Sequence, residues 1–189
     1  GDSVILDGPS TNALSHLVHC LTLLASQGNR EAAHPEWLQA VFYRTRHLAS
    51  HDTTAIRGTF NNSVSFAVAL THAISKPSPF KLEVRGSLGS AIFEEDNYRF
   101  TNTIGLPSYA YRGRSHSPAF RNFIRFVRGT RHRPMVTLAQ CRGLTMINNL
   151  AVLSAGKVRE PFVSNLSDLA EVDSEAPIDF WLDRFLCSV

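Results

Sequence analysis

Val64-Ser-Phe-Ala-Val-Ala-Leu-Thr-His72 carries its large apolar side chains on every second residue. That is the spacing of a strand with one face turned inward, because successive strand side chains point to opposite sides. The same period runs outward in both directions, from Trp37 to Tyr111. On the N-terminal side it takes in Leu38 to Arg46 and Thr54 to Phe60, and on the C-terminal side Lys81 to Arg85, Gly89 to Glu94 and Tyr98 to Thr103. Asn61-Asn62 and Asp96-Asn97 read as hairpin turns. Five to six strands joined by such short connections are mostly antiparallel, since parallel neighbours need a long crossover. Lys81, Glu83 and Arg85 alternate with Leu82 and Val84, which gives one polar and one apolar face.

On either side of this block the period changes to that of a helix. Ser3 to Asp7 is an extended lead-in closed by Gly8-Pro9, and a helix is expected from about Thr11 to Gln27. Candidate N-caps lie between Ser10 and Asn12, and Gly28-Asn29 supplies a left-handed stop. At about 100° per residue, Leu14, Leu17, Val18, Leu21, Leu24 and Ala25 share one side. Asn12, His16 and His19 fall opposite, together with Leu23. Such a polar sector is either the wall of a cleft or the solvated back of an amphipathic helix.

After the strands, Ser117-Pro118 opens a helix with the stripe Phe120, Phe123, Ile124 and Val127, ending at Gly129. Another is expected from Thr137 to Ala155, turning Leu138, Cys141, Leu144, Thr145 and Leu150 toward the core and stopping near Gly156. An acidic stretch from Phe162 to Ala176 then leads to Pro177 and a short amphipathic segment with Trp181, Phe185 and Leu186. The expected fold is α+β, a large, mostly antiparallel open sheet with helices packed on one face, as a single domain over residues 1–189.

Length and composition fit one soluble domain able to bury its own core, with 189 residues, 43% hydrophobic and 19% charged. No apolar run has the length to cross a bilayer, and no secretory leader is visible, so a membrane partner is not expected. A chain opening on Gly1 suggests that the natural one begins further upstream. The net charge of +3 is small. Arg121, Arg125, Arg128, Arg131 and Arg133 form the one basic cluster, read as a solvated helical face rather than a nucleic-acid site. Cys20, Cys141 and Cys187 lack metal-ligand spacing and read as reduced thiols of a cytoplasmic protein.

Chemistry-bearing motifs are few. Gly86-Ser-Leu-Gly89 lies between two strands and opens no helix, so it is no dinucleotide fingerprint, and there is neither a Walker loop nor a Gly-x-Ser-x-Gly elbow. His16 with His19, and His47 with His51, invite a metal reading, but no Cys or carboxylate joins them at close spacing, and no metal is expected. Cys20 one turn beyond His16 reads as packing rather than as an activated thiolate. His72 at a strand end suits a structural sheet histidine as well as a ligand contact. Asp52-Thr53 reads equally as a turn bonded to its own backbone.

Taken in order, Leu6-Asp7, Asn12-Ala-Leu-Ser-His16, His51-Asp52-Thr53, Thr71-His72-Ala73 and Gly86-Ser-Leu-Gly89-Ser-Ala-Ile resemble the C-terminal domain of the Gfo/Idh/MocA oxidoreductases. The resemblance extends from Leu6 to about Gly156. It implies a parent protein in which a Rossmann domain outside this chain binds NAD or NADP, while this domain lines the substrate site and forms subunit contacts through its sheet. A D-x-x-x-H element on the first helix serves the substrate hydroxyl in that family. Carried onto this sequence, His16 takes the histidine position and Asn12 the aspartate position. Asn12 departs from the pattern, because an amide cannot accept a proton. Imidazole can, near neutral pH, which leaves the proton to His16.

The expectation is therefore the C-terminal substrate-binding domain of an NAD(P)-dependent oxidoreductase acting on a sugar, cyclitol or related polyol. His16 and Asn12 are the catalytic candidates, and His19, His72, Arg44 and Asp52 the substrate contacts. No cofactor is expected in this chain alone, which is not expected to be active in isolation. A homodimer or higher oligomer through the sheet face is expected. The competing expectation is a non-catalytic ligand-binding and dimerisation module.

Overall fold

A computed structural model describes residues 7–28, 32–74, 79–94, 97–102, 110–112, 117–130 and 136–159. In chain order the elements are α1 (Ser15–Ala25), β1 (Pro35–Tyr43), β2 (Thr53–Phe60), β3 (Ser65–Thr71), β4 (Lys81–Gly86), β5 (Gly89–Glu94), β6 (Asn97–Asn102), β7 (Ala110–Arg112), α2 (Ser117–Val127) and α3 (Leu138–Ala155). This is the α+β arrangement with antiparallel strands that the periodicities require. The strands fall into two groups, β1-β2-β3 and β4-β5-β6-β7. The chain divides accordingly into one unit of Gly1–Ser75 with Thr137–Val189 and a second of Lys76–Val136. The segments before Asp7 and after Arg159, including Trp181, Phe185, Leu186 and Cys187, lie outside the described residues, as do Arg131 and Arg133.

In the first unit β2 is the central strand, antiparallel to both neighbours, with Ala40 opposite Ile56 and Ile56 opposite Val68. Period two sends Ala40, Phe42, Ile56, Phe60, Phe66, Val68 and Leu70 to one face, where they join one buried cluster with Val18 and Ala25 of α1 and Ile147 and Ala151 of α3. Both helices thus cover the same side of this sheet. Phe60 and Phe66 meet with ring centroids 4.4 Å apart. Removing each such side chain from water contributes about 1.5–3 kcal/mol. Val41, Tyr43 and Ala55 form a smaller buried cluster from the alternate positions.

The β2–β3 hairpin turns at Asn61-Asn62 as its sequence indicates, with Ser63 in the left-handed region at φ 65°. Asn62 Nδ2 also donates to the Ala25 carbonyl at 2.6 Å, so the turn satisfies a free carbonyl at the end of α1. On the outer edge of β1, the Ala40 N–H donates to Ser154 Oγ at 3.0 Å. Arg159 adds a parallel bridge to Tyr43 on that strand. Unpaired groups of an edge strand are thereby partly used.

Val18 and Ala25 are buried and Leu14, Leu17, Leu21 and Leu144 pack against the core as expected, and the inner faces differ from the expected ones at a few other positions. In α1 the buried residues are Val18, Thr22 and Ala25, while Leu24 is 42% exposed. In α3 they are Gly143, Ile147 and Ala151, while Leu138 and Thr145 stand exposed. Close approach of the two helices explains both shifts. A Cβ on Gly143 would lie 3.1 Å from Cβ and Cγ2 of Thr22 and nearer still to the Ala33 carbonyl oxygen. Thr22 tolerates its burial because its hydroxyl donates to the His19 carbonyl at 2.8 Å. Where two helices meet through a glycine and a threonine, the contact line, and not the longest run of leucines, decides what is inside.

The start of α3 is fixed by Thr137, whose side chain accepts from Gln140 N while the Gln140 side chain accepts from Thr137 N, a reciprocal capping box. Gly156, at φ 63°, ends it.

In the second unit β4, β5, β6 and β7 form an antiparallel meander, with Leu82 opposite Phe93 and Ala91 opposite Phe100. Phe93 and Phe100 meet edge to face at 5.9 Å. The expected alternation of β4 is only partly met, since Lys81 and Arg85 are exposed and Leu82 half-buried but Glu83 is half-buried and Val84 exposed, with Arg85 Nε donating to Glu83 at 2.7 Å. The stripe on α2 does not form a core here: Phe120, Phe123 and Val127 are more than half exposed, and Asn122 is the buried position of that helix. Among the described residues, no helix is long and apolar enough to cross a membrane.

Candidate functional site

The segment expected to begin the first helix is instead a turn. Thr11 N and Asn12 N donate to the Gly8 carbonyl at 3.2 and 3.0 Å, and Leu14 N donates to that of Pro9 at 3.0 Å. The Thr11 hydroxyl accepts from Gly8 N at 2.9 Å. Helical geometry starts only at Ser15, and Leu14, the cap residue, makes no side-chain cap bond. A short polar side chain that bonds to nearby backbone competes with helix, and the Thr11 hydroxyl does so here by folding back on Gly8. Asn12 therefore sits in the turn, its side chain exposed and its Nδ2 donating to Asp7 Oδ1 at 2.9 Å.

His16 lies in the first turn of α1 with its side chain exposed, on the side away from Val18 and Thr22. His19 is half-buried, and its Nε2 is buried without a hydrogen-bond partner. The two imidazoles thus occupy different settings on one helix, the first exposed and the second at the margin of the core.

Asp52 has a different post. It is 1% exposed, and its carboxylate accepts from Thr45 N, from Thr45 Oγ1 at 2.9 Å and from Arg46 N at 3.1 Å. Arg46 Nε at 3.4 Å and Thr53 Oγ1 at 3.2 Å complete the set. Burial alone would raise the acid's pKa, but the hydrogen bonds from Thr45, Arg46 and Thr53 outweigh it and hold Asp52 below its ordinary range. This carboxylate organises the connection between β1 and β2, the turn reading of Asp52-Thr53 extended to a whole loop. His72 follows β3 and gives its N–H to the Asp52 carbonyl at 2.8 Å. Arg44 directs Nη1 to the Leu48 carbonyl at 3.1 Å inside the same loop.

His51 was not among the expected site residues. It is 6% exposed, and its ring lies flat on Phe42 with centroids 3.9 Å apart and planes 3° from parallel. Nδ1 meets Ser50 Oγ at 3.1 Å. Nε2 is buried without a partner. A Cβ built on Gly8 would come within 2.7 Å of the ring's Cδ2 and closer still to Nε2, so the imidazole edge rests on the one residue of the turn that has no side chain. Burial lowers the pKa of this ring, Asp52 and Asp7 raise it, His72 lowers it, and burial prevails. In sequence it is marked only by its pairing with His47 and by the stretch His51-Asp52-Thr53. The contacts that define it come from β1 and from the turn ahead of α1.

The structure thus gathers Asp7, Gly8, Asn12, His51, Asp52 and His72 around the turn and the adjoining strand ends, with His16 on the helix that follows. Among the described residues no group of three His, Cys, Asp or Glu side chains comes together as metal ligands. Cys20 is half-buried and its thiol is pushed up by burial, which is unlike an activated nucleophile.

No protein-family model matches the chain, and no curated protein matches it in sequence. Solved structures do match. UDP-N-acetylglucosamine 3-dehydrogenase GnnA from Acidithiobacillus ferrooxidans superposes with a TM-score of 0.60 at 14% identity, over 74% of this chain and 44% of GnnA. A Thermotoga maritima protein assigned to the oxidoreductases gives 0.59 at 17% identity, over 75% of this chain and 43% of that one. A Bacteroides fragilis protein so assigned gives 0.57 at 15% identity, over 82% and 53%. The fold is that of the C-terminal domain of Gfo/Idh/MocA-type oxidoreductases. The chain spans about half the length, or less, of these oxidoreductases.

Proposed function

We propose that this chain is the substrate-binding domain of an NAD(P)-dependent oxidoreductase acting on a hydroxylated ring compound, a sugar, cyclitol or related polyol, with sugar nucleotides the first class to test. The observation that carries the reading is the superposition on GnnA, whose name states a UDP-N-acetylglucosamine 3-dehydrogenase, together with an exposed imidazole on α1.

The described residues do not themselves fit a dinucleotide. Every strand pair is antiparallel, and no glycine-rich turn leads from a strand into a helix. The nucleotide would be held by another part of the parent. The nicotinamide supplies hydride acceptance. This chain supplies a seat for the substrate hydroxyl and, at His16, a group that takes the hydroxyl proton. Asn12, tied to Asp7 through its Nδ2, offers Oδ1 to orient that hydroxyl. His19 adds a contact from the same helix.

The test is an assay of the full-length parent with UDP-N-acetylglucosamine and either NAD+ or NADP+, followed by nicotinamide absorbance. Substrate-dependent reduction of the nicotinamide is the expected result. A parent that binds no nicotinamide nucleotide would overturn the reading and leave the non-catalytic binding module, which Asn12 at an aspartate position favours.

A further inference from the structure

Crossing a bilayer takes about 20 apolar residues, whereas lying in its surface takes one apolar helix face edged with positive charge. α2 has the second make-up. At about 100° per residue, Phe120, Phe123, Ile124 and Val127 share a sector about 100° wide, and Arg121, Arg125 and Arg128 follow along one flank of it. The helix stops where the stripe stops. Gly129 N donates to the Phe126 carbonyl and Thr130 N to that of Arg125, both at 3.0 Å, with Gly129 at φ 70°.

Asn122, the buried position of α2, lies about 150° round the helix from the middle of the stripe. The polar back is therefore the covered side. Phe120, Phe123 and Val127 are accordingly 70%, 61% and 67% exposed, and the three arginines are exposed beside them. An amphipathic helix that closes a core has the reverse arrangement, and a contiguous apolar patch turned outward is a binding surface.

Charge separates the partners. The unit Lys76–Val136 carries eleven Lys and Arg against four Asp and Glu, in a chain whose totals are 19 against 16. From Asn97 to Arg159 the sequence has no acidic residue. A second copy seated on the stripe brings the same three arginines and is opposed by like charge. A nucleic acid answers the arginines but offers no apolar layer to the four hydrocarbon side chains. An anionic leaflet offers both, with headgroup charge at the level of the arginines and acyl chains beneath it, and it needs no matching groove.

We propose that α2 is a membrane-surface helix, which seats Phe120, Phe123, Ile124 and Val127 at the acyl boundary of an anionic leaflet while Arg121, Arg125 and Arg128 meet its headgroups. The arginine stems lie along the apolar layer and their guanidinium groups reach the charge above it. Nothing in this depends on the function proposed above.

The test is co-sedimentation of the 189-residue chain, and of the full-length parent, with vesicles of phosphatidylcholine alone or with about 30% phosphatidylserine. Both proteins are expected to pellet with the anionic vesicles and to stay in solution with the neutral ones. Replacing Arg121, Arg125 and Arg128 together by Gln is expected to weaken partitioning about 100-fold, about fivefold for each charge. Phe120→Ser combined with Phe123→Ser is expected to abolish it. All five side chains are exposed, so both variants are expected to match the wild type in urea unfolding. No binding, equal binding to both kinds of vesicle, or binding that survives either set of substitutions overturns the proposal. Binding by the chain but not by the parent overturns it too, because α2 is then covered by the rest of the parent. A lipid-independent dimer that the phenylalanine substitutions disperse, with no vesicle binding, gives the stripe to a second copy instead.

Discussion

His16→Ala in the full-length parent is expected to lower kcat about 10²- to 10⁴-fold, the range lost when a positioned general acid or base is removed. The chemical ground is the division of labour between Asn12 and His16. An amide can orient a hydroxyl but cannot take its proton, and Asn12 already spends an N–H on Asp7. His16, exposed in the first turn of α1, is the proton acceptor in the proposed function. KM is expected to change far less than kcat, because the proton moves in the transition state and contributes little to ground-state binding. His16→Gln, which preserves a polar contact, is expected to fall nearly as far. Steady-state kinetics on the three proteins checks this, and equal kcat values would favour a binding module.

The second large effect is on stability. Asp52→Ala is expected to cost about 3 kcal/mol, because Thr45 N and Arg46 N are left without an acceptor in the connection between β1 and β2. Little of this comes from the ion pair with Arg46, whose side chain is 51% exposed. Urea unfolding of the 189-residue chain measures it, and a change under about 0.5 kcal/mol, the surface-substitution range, would contradict the network. Asp52 has a lowered pKa, so its contribution is present above the ordinary 3.8 and is lost as pH falls through the still lower folded value. Asp52→Ala is expected to remove that acid limb.

How much of this could be read from the chain alone differs by element. The strands could, because period two survives wherever one face is covered, and β2 and β3 place Ile56, Phe60, Phe66, Val68 and Leu70 as the alternation requires. Helix stops at Gly28, Gly129 and Gly156 could too, each at a positive φ. The helix start at Thr11 could not. Three short polar residues look like caps in sequence, and only their bonds to Gly8 show that they fold a turn. The inner faces of α1 and α3 were hidden for another reason: Leu24 and Leu138 are as apolar as Ile147, and the decision rests on how closely Gly143 lets the helices approach.

The site shows the same division. His16 and Asn12 stand out because of their spacing and because of the family pattern they resemble. His51 belongs to one of the resembling stretches, but its setting is hidden, since nothing local to Ser50-His51-Asp52 tells that Phe42 will stack on the ring or that Gly8 will arrive from residues far earlier in the chain. Functional geometry assembled across a sheet is the part that sequence spacing leaves out.

The account depends most on whether the His16 ring meets a hydroxylated guest. Ring-nitrogen NMR of the histidine-labelled parent, titrated with UDP-N-acetylglucosamine in the presence of its nicotinamide nucleotide, reads this directly. Saturable shifts at His16, with His34 ahead of β1 unmoved, are the predicted result. His16 signals that stay in place while the protein saturates with ligand would contradict it.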